Sequence, residues 1–218
     1  MKDAIIERIV RCGIIPVVRA PSAELAGRAV EAVRGGGIDV VEITMTVPGA
    51  VSLIEALVAR LGDGVLVGAG TVLDADTARA CVRAGARFVV SPAFDEATVA
   101  YCREANVVVV PGALTPTEIV GAVRAGADLV KVFPCGAMGG ADYIRSLKAP
   151  LPELRLVPTG GVSEKTLPDF IRAGASAVGI GSDLVDMARL REGGDAAIRE
   201  AAARCVAAIG KARAPARA

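Results

Sequence analysis

The 218-residue chain contains no histidine and no tryptophan, and only four Phe and two Tyr. Without histidine, Ser-His-Asp and Cys-His mechanisms are excluded, and the usual zinc and non-heme iron sites lose their commonest ligand. Any acid or base must be Glu, Asp, Lys, Tyr, Cys or water, and neither a metal nor a cofactor is expected. The five cysteines (Cys12, Cys81, Cys102, Cys135, Cys205) are odd in number and form no C-x-x-C pair. They read as reduced thiols in a cytoplasm, small buried hydrophobes rather than catalysts. Charge of one sign is also missing: the formal net charge is +1 and the basic residues are spread along the chain. No basic face is offered to nucleic acid or to an anionic membrane, which leaves a small molecule as the expected partner. No apolar run approaches the ~20 residues of a membrane span. The N-terminus, with Asp3 and Glu7 among Ile5, Ile6, Ile9 and Val10, has the pattern of an amphipathic helix rather than a secretory signal.

What the chain does have is a recurring phrase. VRGGGIDVVEIT from Val33, VRAGARFVVSP from Val82, VRAGADLVKVFP from Val123 and IRAGASAVGIGS from Ile171 each read as a helix end, a glycine stop and a strand. Arg in the last turn suits the negative end of the helix dipole, and glycine supplies a left-handed cap. The spacing fits about two βα units, so the phrase marks the even-numbered strands. GIIPVVR from Gly13, VLVGAGT from Val65, VVVVPGA from Val107 and RLVPTGG from Arg155 supply the odd ones. Short apolar strands alternating with Ala-rich helices mean a parallel sheet buried on both faces. The expected architecture is an α/β, (β/α)8 TIM barrel with an extra N-terminal helix. One catalytic domain would cover residues 1–211, with a disordered tail at 212–218. An open doubly wound sheet shares the alternation, but no G-x-G-x-x-G opens a helix after the first strand.

In such a barrel the chemistry lies at the C-terminal strand ends. The sixth strand, LVKVFP from Leu129, sets Leu129, Lys131 and Phe133 on one face and Val130 and Val132 on the other. The two Val suit the helix-packed exterior, which turns Lys131 inward. Only five of the 25 basic residues are Lys, so one inside an apolar strand is not explained by the general supply of positive charge. Burial favours the neutral amine, a nucleophile toward ketones. A buried ion pair, or a lysine reaching to the rim, is the alternative. The second strand, VVEIT from Val40, repeats the pattern with Glu42. Strands two and six face each other across the barrel, so Glu42 and Lys131 would share an interior pocket. There the carboxyl could move protons, or merely pair with the amine. The seventh and eighth strands end in PTGGVS and GIGS, each running into a helix. Ordinary turns would read the same way singly; together they suggest a phosphate site. Arg19 and Thr71, also at strand ends, could hold a small carboxylate or be a rim ion pair and a sheet threonine.

The segments PVVRA, VEITMTVPGA, GAGTV, SPAFDE, PGALTPTE, KVFP, PTGGV and GIGS, in this order between about Ile5 and Ala208, resemble a known family. It is that of 2-keto-3-deoxy-6-phosphogluconate aldolase, also associated with 4-hydroxy-2-oxoglutarate aldolase activity. The resemblance implies a metal-independent class I aldolase, usually a homotrimer, cleaving a 2-keto-3-deoxy-6-phosphosugar acid to pyruvate and glyceraldehyde 3-phosphate. By motif, Lys131 would form the imine and Glu42 would be the general acid/base. Arg19 and Thr71 would hold the pyruvyl carboxylate, with Pro92, Phe133 and Thr159 lining the pocket. Gly160, Gly161, Gly181 and Ser182 would bind phosphate. The chain departs from some relatives at Thr46, where they carry Arg, and at Cys135 and Gly136, where they carry an acid. These positions bear on the choice of sugar acid, including the gluco or galacto epimer, and not on imine chemistry. A phosphosugar isomerase or epimerase on the same barrel, and a barrel that only binds a phosphorylated metabolite, are the competing readings.

Overall fold

The computed structural model describes residues 2–214. Its strands are β1 (Ile14–Val18), β2 (Val40–Thr44), β3 (Leu66–Gly70), β4 (Phe88–Val90), β5 (Val108–Val110), β6 (Gly112–Ala113), β7 (Val130–Val132), β8 (Leu156–Pro158) and β9 (Val178–Ile180). Its α-helices are α1 (Lys2–Cys12), α2 (Ala23–Gly35), α3 (Ala50–Leu61), α4 (Ala75–Arg83), α5 (Glu96–Glu104), α6 (Pro116–Ala125), α7 (Ala141–Lys148), α8 (Leu167–Arg172), α9 (Met187–Arg191) and α10 (Asp195–Arg213).

The recurring phrase does locally what its chemistry requires. Arg34, Arg83, Arg124 and Arg172 sit in the last turns of α2, α4, α6 and α8. Just beyond them Gly37, Gly85, Gly126 and Gly174 take φ between 92° and 103°, a region other residues avoid, and turn the chain into the next strand. Helix starts are equally explicit. Ser22, Asp74 and Asp95 accept from the backbone N–H groups of Leu25, Thr77 and Thr98, and Thr115 with Glu118 forms a capping box behind Pro116.

All strand pairings are parallel. One sheet runs β5-β4-β3-β2-β1-β9 and a second β6-β7-β8, giving an α/β fold with a parallel sheet that forms a half-barrel. The sequence leads one to expect a single fifth strand, but the run is split at Pro111, which has no N–H to give a ladder. β5 pairs with β4 on one side of the break, and β6 with β7 on the other. The carbonyl of Pro111 still accepts from Lys131 N–H at 2.9 Å. At the far edge, Thr159 bridges Gly179 in parallel, and Ser176 N–H donates to Leu156 C=O at 2.9 Å.

Two apolar clusters divide along the strand alternation. Val41, Ile43, Val130 and Val132 pack outward against helices, whereas Ile15, Val40, Leu66, Phe88, Val108, Leu129, Val157 and Ala177 form an inner cluster with Ile5, Ile6 and Ile9 of α1. The amphipathic N-terminal helix thus packs against the residues at the strands' N-terminal ends. Burying three Ile side chains is worth, as an upper estimate, ~1.5–3 kcal/mol each. Arg8 fixes the helix further, donating to Asp39 Oδ2 at 2.8 Å and to the Asp63 and Gly64 carbonyls. At the other terminus, α10 continues to Arg213, past the expected domain end at 211. Arg213 donates to the carbonyls of Val10 and Arg11, which makes residues 212 and 213 part of the folded body rather than a tail. Of the rest of that stretch, Ala214 is exposed and residues 215–218 lie outside the described residues. All five cysteines are free; four are buried and Cys12 is half-buried. Among the described residues no helix is long and apolar enough to cross a membrane.

Candidate active site

A cavity of about 620 Å³ opens at the C-terminal ends of the strands. Seven strands deliver these residues: by strand alternation β1 is followed by Arg19, β2 carries Glu42, β4 is followed by Pro92, β7 carries Lys131 and is followed by Phe133, β8 is followed by Thr159 and β9 by Gly181, while the turns beyond β3, β8 and β9 bring Thr71, Gly160, Gly161 and Ser182. All eleven of these sequence-selected residues line this one cavity.

Lys131 and Glu42 lie at its inner end, 6% and 2% exposed. The Lys131 Nζ stands over the Phe133 ring, 5.1 Å from its centroid. Loss of water raises the Glu42 carboxyl above its ordinary range, and the positive charges of Lys131 and then Arg19 pull the other way. Glu42 Oε1 is buried and has no hydrogen-bond partner among the described residues, which also favours the protonated acid over an unsolvated carboxylate. A carboxyl that holds its proton more tightly than usual, in one cavity with an amine, suits proton transfer.

The rim differs from the interior. Arg19 and Ser182 are exposed, and Thr71 is half-buried. Thr71 adopts φ 57°, a left-handed conformation disfavoured for a β-branched residue. Gly160 and Gly161 follow β8 with φ of 83° and 77°. Thr159 Oγ1 lies where a Cβ on Gly179 would sit, 2.3 Å away, so the glycine of β9 makes room for the threonine. Gly160, Gly161 and Gly181 add no side chain of their own to the backbone of the β8 and β9 loops where it lines the cavity, which allows close approach of an anion. Among the described residues there is no cluster of three or more His, Cys, Asp or Glu with metal-binding geometry.

A family model described as KDPG and KHG aldolase matches residues 5–201. The chain belongs to this aldolase family. It is 38% identical over 167 residues to 2-dehydro-3-deoxy-phosphogluconate aldolase of Treponema pallidum (strain Nichols), covering 77% of this chain and 79% of that protein. It is 37% identical over 172 residues to 2-dehydro-3-deoxy-6-phosphogalactonate aldolase of Escherichia coli (strain K12), covering 78% and 83%. Among solved structures it is similar to KDPG aldolase from Legionella pneumophila with pyruvate captured as a covalent carbinolamine intermediate. The TM-score there is 0.84 at 28% identity, covering 95% of this chain and 98% of that one.

Within the aldolase family, the three departures noted in the sequence lie outside the cavity lining. Thr46 Oγ1 hydrogen-bonds Thr44 Oγ1 at 2.6 Å, and Thr44 in turn donates to the Val18 carbonyl. Burial pushes the Cys135 thiol up to about 11, so it is no thiolate at neutral pH. Gly136 lies behind the anion loop: its N–H donates to Gly160 C=O at 2.8 Å, and a Cβ there would come within 2.9 Å of Gly161 Cα. Sequence reasoning missed Val17, Val162, Gly179, Asp183, Val185, Asp186 and Met187, which also line the cavity. Val17 and Gly179 share their strand faces with Arg19 and Gly181, so period-two alternation applied there would have found them. The segment from Asp183 to Met187 has no such period.

Proposed function

We propose that the chain is a class I aldolase that cleaves 2-keto-3-deoxy-6-phosphogluconate, or its close 2-keto acid relatives, to pyruvate and glyceraldehyde 3-phosphate. The reading is carried by one observation: a buried lysine and a buried carboxyl meet in a cavity whose mouth holds Arg19 and the glycine loops of β8 and β9. The Lys131 amine adds to the C2 ketone, and Glu42 gives its proton to the departing hydroxyl, so that loss of water leaves a carboxylate and a protonated imine that withdraws electrons from C3. Glu42 takes the C4 hydroxyl proton, the C3–C4 bond breaks, and the aldehyde leaves. The resulting enamine is protonated at C3, and water releases pyruvate and the free amine. Arg19 and Thr71 hold the pyruvyl carboxylate, Pro92, Phe133 and Thr159 shape the pocket, and Gly160, Gly161, Gly181 and Ser182 take the phosphate.

The same reading includes a closed eight-stranded barrel. All eight expected strands contribute to the inner apolar cluster, and the two sheets meet through Pro111 and the Thr159–Gly179 bridge. It also includes a cytoplasmic homotrimer as a single barrel domain, with Leu73, 61% exposed, and Phe94, 37% exposed, as apolar surface for a second copy. Light scattering on the purified protein measures the assembly. For the activity, pyruvate release is measured from the gluconate and galactonate epimers and from 4-hydroxy-2-oxoglutarate, with wild type and Lys131→Ala. Turnover of at least one by wild type and none by the variant is expected. No pyruvate release by wild type, with phosphosugar isomerisation or epimerisation that survives Lys131→Arg, would instead favour an isomerase or epimerase in which the lysine is only a charge.

A further inference from the structure

β3 reads Leu66-Val67-Gly68-Ala69-Gly70, and its two glycines share one face. Neither has a positive φ, so the backbone there is one that any residue can adopt. What excludes a side chain is space. A Cβ on Gly68 would lie 2.4–2.5 Å from three atoms of the Phe88 ring, and one on Gly70 would lie 1.8, 2.3 and 2.4 Å from Oε1, Cδ and Cγ of Glu42. The three nearest atoms to Gly70 thus all belong to one side chain. The β2–β3 register pairs Glu42 with Gly68 and Thr44 with Gly70, so the Glu42 side chain leans one pleat toward the cavity mouth and lies across Gly70.

We propose that Gly70 is a positioning residue for the reaction: its missing side chain is the slot that holds the Glu42 carboxyl at the inner end of the cavity, beside Lys131. This rests on the reading of Glu42 as the general acid/base. Any larger residue at 70 leaves β3 in place and pushes the flexible end of Glu42 out toward the mouth. There it meets water and no longer addresses the C4 hydroxyl. A displacement of about 1 Å is enough to cost on the order of 100-fold in rate.

The test is a cycle of Gly70→Ala, Glu42→Ala and the double variant, each measured for kcat, KM, thermal midpoint and pH profile. Gly70→Ala is expected to lower kcat about 100-fold with KM within about twofold, and to move the pH limb carried by Glu42 to lower pH as that carboxyl becomes hydrated. Borohydride trapping of pyruvate on Lys131 is expected to persist. Adding Gly70→Ala to Glu42→Ala is expected to change neither rate nor midpoint, because the side chain it displaces is gone. Losses that multiply across the cycle, or wild-type kcat and pH profile in Gly70→Ala, overturn the proposal. Should Gly70→Ala fail to fold, recovery of folding in the double variant supports the slot, and an unfolded double variant overturns it. Wild-type turnover in Glu42→Ala alone overturns the acid/base reading instead.

Discussion

Replacing Thr71 by glycine should make the protein more stable and less active. Thr71 is held at φ 57° at the cavity mouth. A left-handed conformation costs an L-residue about 1–2 kcal/mol, with β-branched side chains toward the upper end. Glycine removes that cost but loses more freedom on folding, by roughly 0.5–1 kcal/mol. Among the described residues the Thr71 hydroxyl makes no hydrogen bond, and the side chain is half-buried, so little else is lost. The balance is a gain of about 0.5–1 kcal/mol, or roughly 1–4 °C for a chain of this size. Asn106 is the natural control: it also has a positive φ, 54°, but lies outside the cavity lining, and asparagine tolerates the left-handed region. Asn106→Gly should leave the midpoint within about 1 °C. Calorimetric melts give the stabilities, and aldol condensation kinetics give the KM for pyruvate, which should rise in Thr71→Gly and Thr71→Ala alike. A glycine variant less stable than wild type by 1 kcal/mol or more, or one with unaltered pyruvate kinetics, would refute the idea that backbone strain is retained to place this side chain.

Three further perturbations follow from the same geometry. Burial raises the Glu42 carboxyl, so the folded state binds its proton more tightly than the unfolded chain does; stability from this group is full below the ordinary value of 4.5 and is lost as pH rises through the folded value. Glu42→Gln should therefore be inactive yet gain stability over wild type from pH 4.5 upward, by about 1.4 kcal/mol for each tenfold difference in proton affinity, as chemical denaturation across pH would record. Ile9→Ala should cost about 2–5 kcal/mol in denaturant unfolding with KM unchanged, since Ile9 is fully buried in the inner cluster at the end opposite the cavity. Among the described residues a Cβ at Gly181 would meet no atom within 4 Å, and Gly181→Ala needs no unusual φ. It should fold normally while raising KM for a phosphorylated sugar acid about 10-fold or more, the equivalent of one hydrogen bond to an anion, and it should spare 4-hydroxy-2-oxoglutarate.

What could be read directly from the residues was whatever is encoded locally. The Arg-Gly phrase announces helix ends because dipole and left-handed cap act within one turn, and Val130 and Val132 place Lys131 because strand alternation has period two. Features set by distant partners were not legible. The end of α10 reads as a frayed tail, because the carbonyls that hold Arg213 come from α1, 202 and 203 residues earlier. The break at Pro111 follows from proline chemistry, but where pairing shifts from β4 to β7 is a matter of neighbours. Asp183 to Met187 reach the cavity from a loop without a period, and Gly70 gains its meaning only from the side chain lying across it. The lysine and the carboxyl were found because each is out of place in its own strand.

The most direct measurement is to incubate the protein with pyruvate, reduce with borohydride, digest it and map the modified peptide by mass spectrometry. A single reduced pyruvyl adduct on Lys131, absent from Lys131→Ala, is the predicted result. No adduct, or one on Lys2, Lys148, Lys165 or Lys211 instead, would contradict imine catalysis at the end of β7.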